Sequence, residues 1–311
     1  MFNILTLNKI AKCGLDQLND NYKITDDANV DADGIILRSF KMHDMELPES
    51  LKAVARAGAG TNNIPIDKCS EKGIVVFNTP GANANAVKEL VIAGMLLASR
   101  DVIGGVAWAN TLTGDDVDKQ VEKGKSNFAG CEIKGKTLGI IGLGAIGILV
   151  ANAAVALGMN VIGFDPFMSV GNALKLAPTV KLLKSAEDVM VNCDYLTIHV
   201  PLTDDTRDMV DADMIAKMKD GVILINNSRG QLVVEQDLAD ALNSGKVYAA
   251  GLDVVSTEPI KGDNPLLTAK NCIITPHISW AAQASRQRIM DITVDNIKAF
   301  LEGNTVNQVN K

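Results

Sequence analysis

The stretch that most constrains this chain is 137–165, TLGIIGLGAIGILVANAAVALGMNVIGFD. It reads as a strand over 137–141, a glycine turn, a helix over 145–157 and a second strand over 160–164. The turn, Gly142-Leu143-Gly144-Ala145-Ile146-Gly147, is a G-x-G-x-x-G set between strand and helix. Its first glycine permits the tight turn, the second lets a pyrophosphate approach the backbone, and the third allows close helix–strand packing. The helix N-terminus beyond it offers unpaired N–H groups and a positive dipole end to phosphates. Asp165 closes the second strand, 23 residues after Gly142, where a carboxylate accepts hydrogen bonds from an adenosine ribose.

Asp165 also bears on which dinucleotide fits. A 2′-phosphate would meet its carboxylate, and the flanking Phe164, Pro166 and Phe167 supply no Arg, so NAD is expected over NADP. A rival reading is a membrane span, because 137–164 runs 28 residues without a formal charge. Six glycines, two asparagines and a change of pattern midway argue against it. Continuous apolar runs are also how the buried strands of a parallel sheet read.

At 311 residues, 47% hydrophobic and 22% charged, the chain has material for two globular domains. A net charge of −7 argues against a general nucleic-acid or anionic-membrane surface, so an anionic substrate needs a local group of Arg. The five cysteines (Cys13, Cys69, Cys131, Cys193 and Cys272) are odd in number, dispersed and free of C-x-x-C. Reduced thiols in a cytoplasmic protein are expected from that. The N-terminal MFNILTLNKI is too short in its apolar run for a signal peptide and reads as a first strand.

Before the glycine turn, strands are expected over 4–7, 34–38, 51–57 and 74–77, with a short helix over 66–72. Alternating strands and helices imply a parallel sheet, whose ligand side lies at the carboxyl ends of the strands. That puts Arg38-Ser39, 58–62 and 78–80 on one functional edge. A helix over 86–99 leaves this unit. Residues 101–128, with glycines, Trp108 and a mixed-charge run, read either as an arm packing on a second subunit or as an irregular surface connection. After the turn, strands are expected over 194–200, 222–226, 247–254 and 271–275, and helices over 214–218 and 234–243. A long helix over 281–301 returns to the first unit. The expected domains are 1–98 with 281–311, and 99–280, with a cleft between them.

A hydride-transfer site for a 2-hydroxy acid needs a cation for the carboxylate, a proton donor and acceptor for the hydroxyl, and a carboxylate to tune that group. Residues at strand ends supply them: Arg229 in NNSRG, Glu258 in DVVSTEP and His277 in TPHIS. Taken singly, each has a bland reading as a surface ion pair, a turn residue before Pro259 or a strand-end histidine. Jointly those readings are disfavoured. His199, in an apolar strand before Pro201, reads as structural, and His43, among Lys41, Asp44 and Glu46, as a solvated loop residue. No metal is expected.

The three residues follow the glycine motif in this order, with 29 residues from Arg229 to Glu258 and 19 to His277. The set resembles the D-isomer-specific 2-hydroxyacid dehydrogenases, and the resemblance covers essentially the whole chain. It implies a Rossmann NAD-binding domain plus a discontinuous flavodoxin-like α/β substrate-binding domain, in a homodimer that binds neither nucleic acid nor membrane. It further implies that Arg229 orients the substrate, His277 is the acid/base and Glu258 its partner. Asp253 would bind the nicotinamide carboxamide, with Val200, Pro201, Asn227 and Ser228 lining the cofactor. Trp280 would join them at the active-site mouth, narrowing the pocket or packing at the domain junction.

The segments 36–39, 54–90 and 135–147 resemble the D-3-phosphoglycerate branch of the family. That branch implies Arg38 and Ser39 as phosphate ligands, a second cation from the Arg56 region or from another subunit, and Ala57, Gly58, Ala59 and Asn78 in the substrate pocket. Residues 251–292 instead resemble the glycerate/hydroxypyruvate reductases. Because Arg38 and the 54–90 loops should form most of the pocket, oxidation of D-3-phosphoglycerate in serine biosynthesis is expected. Reduction of glyoxylate or hydroxypyruvate with NADH is the alternative, and a non-catalytic NAD-sensing protein the alternative of another class. Ending at Lys311, the chain is expected to lack the C-terminal regulatory extension of many phosphoglycerate enzymes.

Overall fold

The computed structural model describes residues 1–304 and 308–310. The chain forms two compact units, Met1–Ala86 with Trp280–Lys311, and Val87–Ser279.

In the first unit, β1 (Phe2–Leu7), β2 (Tyr22–Thr25), β3 (Gly34–Leu37), β4 (Ala53–Arg56) and β5 (Val75–Phe77) form one parallel sheet. Their order, β2-β1-β3-β4-β5, is the flavodoxin-like one. The apolar run of β3 is buried throughout, as a strand covered on both faces requires. Helix Gln283–Leu301 places Ile297 among Ile4, Ile36, Ala55 and Phe77. Gly34 makes room for it, since a Cβ there would lie 2.7 Å from the Ile297 side chain. The C-terminal helix therefore completes the core begun by the N-terminal strands, and the unit is discontinuous.

The second unit holds β6 (Thr137–Ile141), β7 (Asn160–Phe164), β8 (Lys181–Leu182), β9 (Tyr195–Ile198), β10 (Val222–Asn226), β11 (Val247–Leu252) and β12 (Cys272–Ile274). They are parallel and run in the order β12-β11-β10-β9-β6-β7-β8. This is the Rossmann order with β12 added at the far edge. The strand order reverses between β6 and β9, so the crevice at their carboxyl ends is the topological switch point where such sheets bind ligands. Residues 137–164 divide into β6, helix Gly147–Ala156 and β7, and no single helix among the described residues is long and apolar enough to cross a membrane.

Helix Ala84–Ser99 sets Val87, Val91, Met95 and Ala98 in one core with Ile140, Tyr195 and Ile225. The two units consequently divide at Ala86/Val87, near the start of that helix rather than beyond its end. Residues 101–128 fold as helices Val102–Ala109 and Val117–Gly124 and a 3-10 turn, Lys125–Phe128. The Trp108 and Phe128 rings pack together at 5.2 Å between centroids, while Val102, Ile103 and Val106 stay exposed.

Candidate active site

β6 ends at Ile141, and Gly142 turns the chain with φ +91°, a left-handed value that glycine adopts at no steric cost. A Cβ on Gly142 would lie 2.6 Å from the His199 carbonyl oxygen, and one on Gly147 2.0 Å from that of Gly142. Gly144 differs. A Cβ there would meet no atom of the chain within 4 Å, so the protein's own packing does not require a glycine. That open space lies at the start of helix Gly147–Ala156. The amides of Gly144, Ala145 and Ile146 have no backbone acceptor among the described residues. Unpaired N–H groups around an open glycine form a cradle suited to a pyrophosphate.

Asp165, just past β7, accepts the Leu143 amide on Oδ2 and the Phe167 amide on Oδ1, each at 2.8 Å. Each carboxylate oxygen keeps a further lone pair. Asp165 thus holds the glycine turn in place and can still receive ribose hydroxyls. The donor set fits NAD.

Beside the turn, β9 and β10 end in register, with Ile198 opposite Asn226. His199 Nε2 lies 3.1 Å from Thr197 Oγ1, while Nδ1 is sealed from solvent without a protein partner. Burial pushes the His199 pKa down to about 4, so the ring is neutral near pH 7. The Asn227 side-chain nitrogen is likewise buried without a partner. Buried Asn226 shapes the turn that follows: its Oδ1 accepts the amide and the hydroxyl of Ser228 at 3.1 and 3.0 Å, and its Nδ2 donates to the Arg229 carbonyl at 2.8 Å. Val200 and Pro201 stand at the same switch point, directly after β9.

Arg229, Glu258 and His277 follow the ends of three neighbouring strands, β10, β11 and β12. His277 Nδ1 and Glu258 Oε2 are 2.7 Å apart. Burial pushes the Glu258 carboxyl up, but the His277 hydrogen bond and charge, the Val255 backbone and the Arg229 charge together hold it below its ordinary value. Burial lowers the Arg229 guanidinium and the Glu258 charge opposes this; a guanidinium nonetheless remains a cation in a protein. Its Nη1 donates to the Ser228 carbonyl at 2.6 Å.

His277 itself has φ +53°, left-handed backbone that a non-glycine residue keeps only where its surroundings impose it. Asp253 supplies that constraint. Its Oδ1 accepts Thr275 Oγ1 at 2.6 Å and the Ile278 amide at 2.8 Å, and its Oδ2 accepts the Ser279 amide at 2.8 Å. The carboxylate assigned from sequence to the nicotinamide carboxamide is therefore engaged three times within the chain, on both sides of His277.

The first unit gathers the residues assigned to the substrate. Arg38-Ser39 and Asn78 follow β3 and β5, and Arg56 ends β4 with Ala57 to Ala59 after it; the three strands are neighbours. Buried Asn63 takes Arg56 Nε on its Oδ1 at 3.0 Å and donates Nδ2 to the Arg38 and Phe40 carbonyls at 3.2 and 2.8 Å. Asn78 Nδ2 donates to the Ala59 carbonyl at 2.6 Å. Trp280 belongs to this unit, with its ring against the Arg38 guanidinium. Asn63 and Asn226 organise these loops without any local pattern that marks them in the sequence. Among the described residues no cluster of His, Cys, Asp and Glu is arranged to hold a metal.

Residues 95–279 match the family model of the D-isomer specific 2-hydroxyacid dehydrogenase, NAD binding domain. A hydroxypyruvate reductase of Blautia hydrogenotrophica is 45% identical over 269 residues, 84% of this chain and 79% of that protein. A D-3-phosphoglycerate dehydrogenase of Methanocaldococcus jannaschii is 39% identical over 287 residues, 90% of this chain and 52% of that protein. The chain thus spans about half the length of the second relative. In three dimensions, the TT0316 protein from Thermus thermophilus aligns over 99% of both chains at 29% identity with a TM-score of 0.85.

Proposed function

The chain belongs to the D-isomer specific 2-hydroxyacid dehydrogenases, oxidoreductases with an NAD-binding domain, and we propose that it interconverts hydroxypyruvate and D-glycerate. NAD bound at the glycine turn supplies hydride acceptance and donation. Arg229, a cation in a desolvated setting, holds the substrate carboxylate. His277 is the acid/base. With an ionised Glu258 at 2.7 Å, its Nδ1 carries a proton toward the carboxylate, and Nε2 is left to exchange a proton with the substrate oxygen. In reduction the protonated ring gives that proton to the carbonyl oxygen; in oxidation the neutral ring takes it from the hydroxyl. The observation that carries this assignment is the Glu258–His277 contact beside a desolvated Arg229.

Two observations favour the unphosphorylated acid. The relative aligned over most of its own length bears the reductase name, and the Arg38 guanidinium already lies against Trp280. This reverses the order of substrates expected from the sequence. Oxidation of D-3-phosphoglycerate is the second reading, favoured by Asn63, which ties the Arg56 side chain to the Arg38 backbone. The exposed apolar helix Val102–Ala109 supports a homodimer, and the five free thiols support a cytoplasmic location.

NADH absorbance kinetics test the assignment. Hydroxypyruvate with NADH should exceed 3-phosphoglycerate with NAD by at least about tenfold in kcat/KM, which is about 1.4 kcal/mol. The reverse preference would establish the second reading. NAD binding without turnover on any of these acids would point to the sensing protein.

A further inference from the structure

We propose that Glu235 is a positioning residue for the acid–base pair, anchoring the loop that carries Glu258. The inference rests on the roles given above to His277 and Glu258. Glu235 opens helix Glu235–Ser244, but its carboxylate serves a different segment. Oε1 accepts the Ser256 amide at 2.6 Å, and Oε2 accepts the Ser256 hydroxyl at 2.7 Å and Asn264 Nδ2 at 3.0 Å. Ser256 and Asn264 bracket Glu258 in the chain. The stretch between them holds no helix or strand of its own, so these bonds replace the backbone ladder that would otherwise fix it.

The same segment is gripped a second time. Gln231 Nε2 donates to the Ser256 carbonyl at 2.7 Å. Gly230 lies so close to the Val255–Ser256 peptide that a Cβ on it would sit 2.0 Å from the Val255 carbonyl carbon and 2.3 Å from the Ser256 nitrogen. Residues 230–235 therefore clasp the start of the Glu258 loop, and they begin immediately after Arg229. On the other side, Asp253 clasps the backbone around His277. Each member of the pair has its own carboxylate anchor, and the 2.7 Å contact depends on both. A misplacement of about 1 Å at such a site costs roughly a hundredfold in rate, which makes an anchor remote from the substrate consequential for turnover.

The test compares Glu235→Ala and Glu235→Gln with Glu258→Gln and His277→Ala, reading kcat, KM, the pH profile of kcat/KM, NAD affinity and melting temperature. Glu235→Ala should lower kcat roughly ten- to a hundredfold with NAD affinity unchanged. It should also move the midpoint of the pH profile in the direction that Glu258→Gln moves it. Glu235→Gln, which keeps an acceptor for Ser256, should recover part of both effects. A fall in melting temperature with an unmoved pH profile would overturn the proposal and leave Glu235 purely structural. Should Glu235→Ala fail to fold, Ser256→Ala and Asn264→Ala, which each delete one of the bonds, carry the same comparison. Retained turnover in His277→Ala would instead overturn the acid–base reading itself, whatever Glu235 does.

Discussion

The Arg38 guanidinium carbon lies 4.9 Å from the centroid of the Trp280 ring, so the cation assigned from sequence to a substrate phosphate is held on an aromatic face. Such a contact at an exposed site is worth about 0.5–1 kcal/mol. Arg38→Ala should cost hydroxypyruvate reduction less than about threefold, whereas a charge-assisted bond to a phosphate is worth about 1.5–3 kcal/mol. Any activity toward 3-phosphoglycerate should accordingly fall at least about tenfold. Parallel kinetics on the two acids check this, and an equal loss on both would mean that Arg38 serves the group they share.

The first two glycines of the turn should respond in opposite ways. Gly144→Ala sets its Cβ in open space, so it should leave the melting temperature nearly unchanged while weakening NADH binding about ten- to a hundredfold, the worth of bonds to a charged group. Gly142→Ala places a Cβ against the His199 carbonyl at a left-handed φ. It should cost about 2 kcal/mol or more in stability before cofactor is considered. Thermal melts and NADH fluorescence titrations separate the two.

Asp165 presents a carboxylate whose oxygens already hold the turn. Asp165→Ser should reduce the preference for NAD over NADP by at least about tenfold, because like charges about 4 Å apart repel by roughly 4 kcal/mol near a protein surface. The ratio of kcat/KM for the two cofactors measures it. An unchanged ratio would remove Asp165 from cofactor choice.

His199 predicts a pH dependence of stability. Its pKa is lowered from 6.5 to about 4 by burial. Between those values the unfolded chain binds a proton that the folded chain refuses, so stability falls as pH drops from about 6.5 toward 4 and is unaffected above that window. The gap corresponds to at most about 3 kcal/mol, less for a residue that keeps part of its surface accessible. Glu258, held below its ordinary 4.5, adds its own loss at lower pH, as the pH falls through its folded value. Urea midpoints at pH 7 and pH 5 should differ more in the wild type than in His199→Leu.

The parts legible in the sequence are those written locally. β6, β9, β10 and β11 announce themselves as apolar runs because both faces of a parallel sheet are covered. The strand-end placement of Arg229, Glu258 and His277 is legible because each lies in a short motif after an apolar run. Two of the four edge strands, β2 and β8, are not. Tyr22–Thr25 is half-exposed and Lys181–Leu182 is only two residues, so neither carries a pattern to read. Helix Ala186–Asn192 also goes unread, although Ser185 caps it through the Asp188 amide. Asn63, Asn226 and Glu235 stay hidden for a different reason. Their importance depends on which loop ends up opposite them, as when Glu235 meets Asn264, and no spacing rule encodes that.

β10, β11 and β12 are adjacent and in register, Asn226 opposite Leu252 and Leu252 opposite Ile274. Neighbouring strands stand about 4.8 Å apart, so the three chemical side chains rise from a platform roughly 10 Å wide. On the proposed assignment, that platform is a ruler cut to the one feature all 2-hydroxy acids share, a carboxylate one bond from the carbinol carbon. It is blind to the rest of the molecule. Retargeting the enzyme to a longer or charged acid is then work for residues off this three-strand platform, and substitutions there should change which acid is used while leaving the proton chemistry untouched.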